Sequence, residues 1–297
     1  MNPIRSIYNR LPHGARSTLR AWLPDELLRW YARRSTDAYL ISYPKCGRTW
    51  LRLMLGRAIC SHFGLPQDED LLLLNWRGRP AAGVPMIRVV HDNRPMLRTP
   101  DELETSKQQY RGKKVIFLVR DPRDVIVSSY FEMTSRGRLF GENPYETQQA
   151  VFEGTLAEFI EQPRGGFDTI LRYYTIWAEN QNIPDDFLLL RYEDLKAAPQ
   201  QELRRALDFL GLDAISDASI GEAVEFASFD NMRKMEAEGR FQSGILRPGD
   251  RKDQNSFKTR KGKVHGYLEY LTPEQAAALD CKLEAGLPEL FGYGQTS

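Results

Sequence analysis

Cysteine is nearly missing from this chain. Cys46, Cys60 and Cys281 are the only three in 297 residues. Such an odd, sparse set excludes a disulfide framework and leads us to expect a reducing, cytoplasmic setting. Histidine is almost as scarce, with His13, His62, His91 and His265. There is no H-E-x-x-H pattern or Cys/His cluster, so no metal site is expected. Long apolar runs are absent too. The densest leucine run, Leu71 to Leu74, falls far short of the roughly 18 apolar residues that span a bilayer. The N-terminus lacks the apolar segment of a signal peptide, because Arg5, Arg10, Arg16 and Arg20 break every stretch. Neither sign of charge dominates, and a formal net charge of +1 argues against a generic polyanion binder or a nucleic-acid partner.

What is present fits one large globular α/β domain: 41% apolar residues, 27% charged, and no internal repeat. The basic residues are unevenly placed. Residues 1–36 hold seven arginines against Asp25 and Glu26, and residues 240–263 hold eight Lys/Arg against Asp250 and Asp253. The first run reads as a basic helical arm preceding a domain over 37–297. It either rests on an anionic membrane surface as a peripheral contact or packs on the core with its arginines in water; the second is preferred. The second run reads as a solvated face or an anion site.

Strand and helix patterns alternate. Ala38 to Tyr43 is a buried strand, and Thr49 opens an apolar helix. Met86 to Val90 is a short strand, and Val115 to Val119 is β-branched and continuous, as a strand covered on both faces should be. Helices are expected over Arg123 to Met133, Phe167 to Asn182 and Pro199 to Leu210, with a strand from Phe187 to Leu190 and Gly211 as a helix stop. This order predicts a three-layer α/β fold, a mainly parallel sheet with helices on both faces. Ligands in such sheets sit at the carboxyl ends of the strands.

Two loops there carry chemistry. Tyr43-Pro44-Lys45-Cys46-Gly47-Arg48-Thr49-Trp50 joins a strand to a helix, so its backbone N–H groups and the helix N-terminus face an anion in a P-loop-like cradle. It is not a Walker A sequence, since the lysine precedes the glycine; alone, a structural turn explains it as well. Arg120-Asp121-Pro122-Arg123-Asp124 follows the strongest strand, and Ser128 lies about two turns into the next helix. Arg120 and Ser128 either reach one phosphate or are incidental beside Arg120–Asp124 and Arg123–Asp121 salt bridges.

Together the loops resemble the phosphosulfate-binding loop and the 3′-phosphate element of the cytosolic-type sulfotransferase family. The family's Y-P-K-[SA]-G-[TS]-T-W is YPKCGRTW here, departing at Cys46 and Arg48, whereas RDPRDVIVSSY fits its second pattern throughout. Three further segments are similar in the same order: Tyr192-Glu193-Asp194-Leu195, Ser228-Phe229 with Met232, and Arg260-Lys261-Gly262 with Gly266. Tyr267-Leu268 stand where the family has Asp-Trp.

The resemblance implies transfer of a sulfuryl group from 3′-phosphoadenosine 5′-phosphosulfate (PAPS) to an acceptor hydroxyl or amine by in-line displacement, without a metal. Lys45, Cys46, Gly47, Arg48, Thr49, Trp50, Arg120, Ser128, Tyr192, Phe229, Arg260, Lys261 and Gly262 are then the nucleotide-binding residues. Lys45 and Ser128 are also expected to take part in catalysis. His91, at a strand end upstream of Arg120, is the expected general base, and an imidazole with pKa near 6.5 suits that task. His265 is the runner-up, and a strand-end His91 paired with Asp92 is the plain alternative. Cys46 reads as a small loop residue rather than a redox group. The acceptor stays open among small phenols, sugars and lipid-like molecules, and the oligomeric state is not legible. Rival classes are a P-loop-like phosphotransferase and a non-catalytic nucleotide or RNA binder.

Overall fold

The computed structural model describes residues 33–67, 69–74, 76, 83–136, 152–241 and 244–294. The arm up to residue 32 lies outside them, as do residues 137–151.

The chain runs β1 (Ala38–Ser42), α1 (Arg48–Phe63), α2 (Glu69–Leu73), β2 (Ile87–Val90), β3 (Lys114–Val119), α3 (Pro122–Phe131), α4 (Leu156–Glu161), α5 (Phe167–Glu179) and β4 (Asp186–Arg191). Helices α6 (Tyr192–Ala197), α7 (Pro199–Phe209), α8 (Asp217–Phe226), α9 (Phe229–Glu238) and α10 (Pro273–Gly286) follow among the described residues, with short 3₁₀ turns between elements. The four strands of the described residues are parallel in the order β2-β1-β3-β4. All five residues of β1 are buried, as are Val115 to Val119 of β3, which is why these strands are apolar on both faces.

One helical layer packs α1 against α7 and α8; the other packs α5 against α3, α4 and α10. The expected three-layer α/β fold is therefore present. Phe117 on β3 anchors the second layer: it stacks on Trp177 of α5 with ring centroids 5.2 Å apart and contacts Tyr173, Tyr174 and Phe291. Each such aromatic contributes on the order of 2–3 kcal/mol by burial.

The chain leaves β1 toward β2 on one side and returns to β3 on the other, so the order switches between β1 and β3. The crevice above that point is where an open parallel sheet holds its ligand. The loops after Ser42, Val90, Val119 and Arg191 all open on this edge. Expected boundaries moved little, with two informative differences. Tyr43 leaves the strand although fully buried. Helix α3 ends at Phe131 and continues as a π-helical turn over Glu132–Arg136, a device that re-aims side chains at functional sites.

Candidate active site

At the switch point lies a cavity of about 460 Å³ lined from the cradle, β2, α3 and the C-terminal loop. Gly47 caps α1 with φ 85°, a left-handed conformation that strains other residues. A Cβ there would stand 2.5 Å from the Tyr192 ring, so glycine is required on two counts. This turn presents the first N–H groups of α1 and brings Lys45, Arg48, Thr49 and Trp50 to the cavity wall. Cys46 is the exception. Its side chain is buried, with Sγ 3.3 Å from the Tyr174 hydroxyl, and burial pushes the thiol up to about 12. The expectation of a nucleotide contact is corrected for this side chain: it packs under the loop as an inert thiol.

Asp121 caps α3 by accepting from the Arg123 N–H at 2.9 Å, with Pro122 in the first turn. Both salt bridges that the sequence offered as alternatives are present: Arg123–Asp121 at 2.6 Å and Arg120–Asp124 at 3.2 Å. They do not remove Arg120 from the site. Its guanidinium spans the two loops, donating to the Lys45 carbonyl at 3.3 Å and the Lys263 carbonyl at 2.8 Å, and lies over the Tyr192 ring. Ser128 faces the same cavity two turns along α3.

The C-terminal loop closes the cavity. Gly262, at φ 61°, passes so close to Phe229 that a Cβ would sit 3.0 Å from its ring. Phe229, Tyr192 and Trp50 thereby line one end as an aromatic slot, with Trp50 and Tyr192 edge to face at 5.9 Å. Arg260 reaches in over the Phe131 ring and donates to the Tyr270 hydroxyl at 2.5 Å, while Lys261 pairs with Glu269. Tyr267, where the family has aspartate, is buried, and its N–H donates to Asp124 at 2.9 Å. That bond ties the loop to α3 without the missing Asp-Trp pair.

His91 lines the cavity at the end of β2, whereas His265 is exposed and does not line it. Asp92 is not its partner. That carboxylate turns away to a buried ion pair with Lys107 at 2.8 Å and accepts from the Tyr110 hydroxyl at 2.6 Å. His91 Nδ1 instead faces the Ser42 carbonyl at 2.9 Å, so it carries the proton and Nε2 holds the lone pair. Arg48 takes up that lone pair: its guanidinium donates to Nε2 and, at 2.5 Å, to the Val90 carbonyl. Burial first, then the Arg48 charge, holds the His91 pKa well below its usual value.

Two residues escaped the sequence reading. Glu132, buried on the π turn, lines the cavity and sits 2.5 Å from Lys45 Nζ and 3.8 Å from Lys258. Its signal was there to find, four residues after Ser128 and so on the same helical face. Tyr174 of α5 accepts from the Arg120 N–H at 3.0 Å, donates to the Arg120 carbonyl at 2.8 Å and contacts Cys46. It pins the two anion-facing loops to each other from below.

An anion cradle at a helix start, an aromatic slot and a basic closing loop, all at the switch point of a parallel sheet, define a nucleotide-dependent group-transfer enzyme. The sulfotransferase domain family matches residues 35–288, and the chain belongs to that family. It is 29% identical to cytosolic sulfotransferase 16 of Arabidopsis thaliana, over 89% of this chain and 86% of that protein. It is 27% identical to flavonol 3-sulfotransferase of Flaveria bidentis, over 82% and 79%. Among solved structures it resembles a mouse sulfotransferase complexed with PAP, with TM-score 0.57, 22% identity and coverage of 85% and 84%. A retinol dehydratase complexed with retinol and PAP gives TM-score 0.56 and 17% identity, with coverage of 85% and 81%. Family membership sets aside the phosphotransferase and binding-protein readings.

Proposed function

We propose that this sulfotransferase binds PAPS across the switch-point cavity and passes its sulfuryl group to a small-molecule acceptor at His91. The carrying observation is that Lys45, Thr49, Arg120, Ser128 and Arg260, from three separated segments, line one cavity together with His91. The α1 N-terminus, Lys45 and Thr49 hold the 5′-phosphosulfate. Arg120, Ser128, Arg260 and Lys261 hold the 3′-phosphate, and adenine lies in the slot of Trp50, Tyr192 and Phe229.

In the transfer the acceptor oxygen attacks sulfur in line, and its proton passes to His91 Nε2. The new O–S bond forms as the bond from sulfur to the bridging phosphate oxygen breaks, and Lys45 neutralises the charge on that oxygen. Lys45 must then leave Glu132 for the leaving group. Positioning and charge stabilisation supply most of the acceleration. The names of the cytosolic relatives and the free cysteines support a cytoplasmic setting. The experiment is transfer of ³⁵S from labelled PAPS to an acceptor panel. Label should move to acceptor without added Mg²⁺, and Lys45→Ala should cut kcat at least about a hundredfold. A folded Lys45→Ala protein with near-normal turnover removes Lys45 from the mechanism.

A further inference from the structure

Residues 257–265, between the 3₁₀ turns Gln254–Ser256 and Gly266–Glu269, form neither helix nor strand. Lys258 to Gly262 line the cavity in unbroken succession, and on the reading above Arg260 and Lys261 reach the 3′-phosphate. No helix or sheet ladder fixes the shape of this loop, so side chains from elsewhere must satisfy its backbone and hold it. Its far end is tied to β3 and α3, through the Lys263 carbonyl on Arg120 and the Tyr267 N–H on Asp124.

The near end belongs to α9. Glu236, fully buried near the end of that helix, accepts from the Lys258 N–H at 2.5 Å, the Thr259 N–H at 2.9 Å and the Thr259 hydroxyl at 2.6 Å. Arg233, one turn earlier, donates to the Thr259 carbonyl at 2.6 Å and lies over the Phe257 ring. All three polar atoms of Thr259 are therefore bonded to α9, one residue before Arg260. A carboxylate drawn out of water needs donors in return, and Glu236 takes them from two successive residues of the loop. Hydrogen bonds to an ionised acceptor are the strong ones, so this is a firm grip. The same helix begins at Phe229 and places Met232 on the cavity wall. One element thus carries a ring of the aromatic slot and the clamp on the phosphate-facing loop.

We propose that Glu236 is a positioning residue for donor recognition. By clamping Lys258 and Thr259 to α9 it presents Arg260 and Lys261 to the 3′-phosphate, and so sets the preference for 3′-phosphorylated nucleotides. Glu236 touches no substrate atom; it acts through the loop. A loop already held in its binding shape has less freedom to lose when the ligand arrives. This rests on the donor reading and adds to it a residue outside all five family-like segments.

The test is calorimetric titration of 3′-phosphoadenosine 5′-phosphate and adenosine 5′-phosphate into wild-type, Glu236→Gln and Thr259→Val protein, each checked for folding by circular dichroism. Gln keeps the volume of Glu236 without its charge, and Val keeps the shape of Thr259 without its bond to the carboxylate. Glu236→Gln should weaken the 3′-phosphorylated nucleotide about tenfold or more, the scale of one charge-assisted hydrogen bond, and adenosine 5′-phosphate less than about threefold. The second nucleotide is spared because it offers Arg260 and Lys261 no 3′-phosphate to hold. Thr259→Val should shift the same ratio in the same direction, severalfold. Equal losses for both nucleotides would mean a purely structural role and overturn the proposal. So would a preference unchanged in the folded variants; Thr259→Val decides alone if Glu236→Gln does not fold. A wild type without any preference overturns the donor reading and this inference with it, whereas a wild-type preference that survives both substitutions overturns this inference alone.

Discussion

An imidazole that takes a proton at neutral pH must be uncharged and must offer a lone pair. The Ser42 carbonyl fixes the His91 proton on Nδ1, and burial with the adjoining guanidinium keeps the ring uncharged to well below pH 6.5. The charged groups facing it are Arg48 and Arg52 from α1 and Lys258 from the C-terminal loop. All are cations, so all push in one direction. A depressed pKa keeps the neutral base available as the solution is acidified. The acid limb of kcat/KM assigned to His91 should therefore lie below pH 6.5. Arg48→Thr removes the nearest cation and should move the limb upward, though not fully to the free value, because burial is the larger cause. A wild-type limb at or above pH 6.5, or one unmoved in Arg48→Thr, contradicts this account of the base. The sequence marked Arg48 as a departure from the family pattern and, through the resemblance, as a nucleotide-binding residue. Its guanidinium meets His91, 43 residues away at the end of β2.

The turn that aims His91 is built on an unusual backbone. Asp92, Asn93 and Arg94 take φ values of 50°, 68° and 55°, three successive left-handed residues where L-amino acids seldom go. Such strain costs on the order of 1–3 kcal/mol per residue and persists only where the surroundings hold it. Here the hold is Asp92, buried against Lys107 and accepting from Tyr110 and Gln109. Asp92→Ala leaves Lys107 as an unpaired buried cation and should destabilise the fold by about 3–5 kcal/mol in urea denaturation. A loss below about 1 kcal/mol means the turn is held otherwise. At this scale legibility divides by range. Strands, helix starts and the Asp121-Pro122 cap are local patterns, readable from neighbouring residues. Tyr174 was not, because it unites Arg120 and Cys46, which lie 54 and 128 residues away in sequence. Only the packing of α5 under the sheet edge brings them together.

Over the whole molecule, a net charge of +1 conceals a cavity whose lining holds many cations and two carboxylates. Composition gave no hint of it, whereas the order of motifs did, since cradle, Arg120 element, aromatic pair and closing loop recur in family order. Arg120 and Ser128 on β3–α3 and Arg260 and Lys261 on the closing loop line one cavity, and the proposed function has them hold the 3′-phosphate together. Hydrogen bonds to a charged group contribute about 1.5–3 kcal/mol each, so two lost bonds amount to ~3 kcal/mol or more, over about a hundredfold in affinity. The direct measurement is calorimetric titration of 3′-phosphoadenosine 5′-phosphate and adenosine 5′-phosphate, without divalent metal, into wild-type and Arg120→Ala protein. The wild type should prefer the 3′-phosphorylated nucleotide by more than about a hundredfold, and Arg120→Ala should lose most of that preference. Equal affinity of the wild type for both nucleotides would contradict the account at its centre.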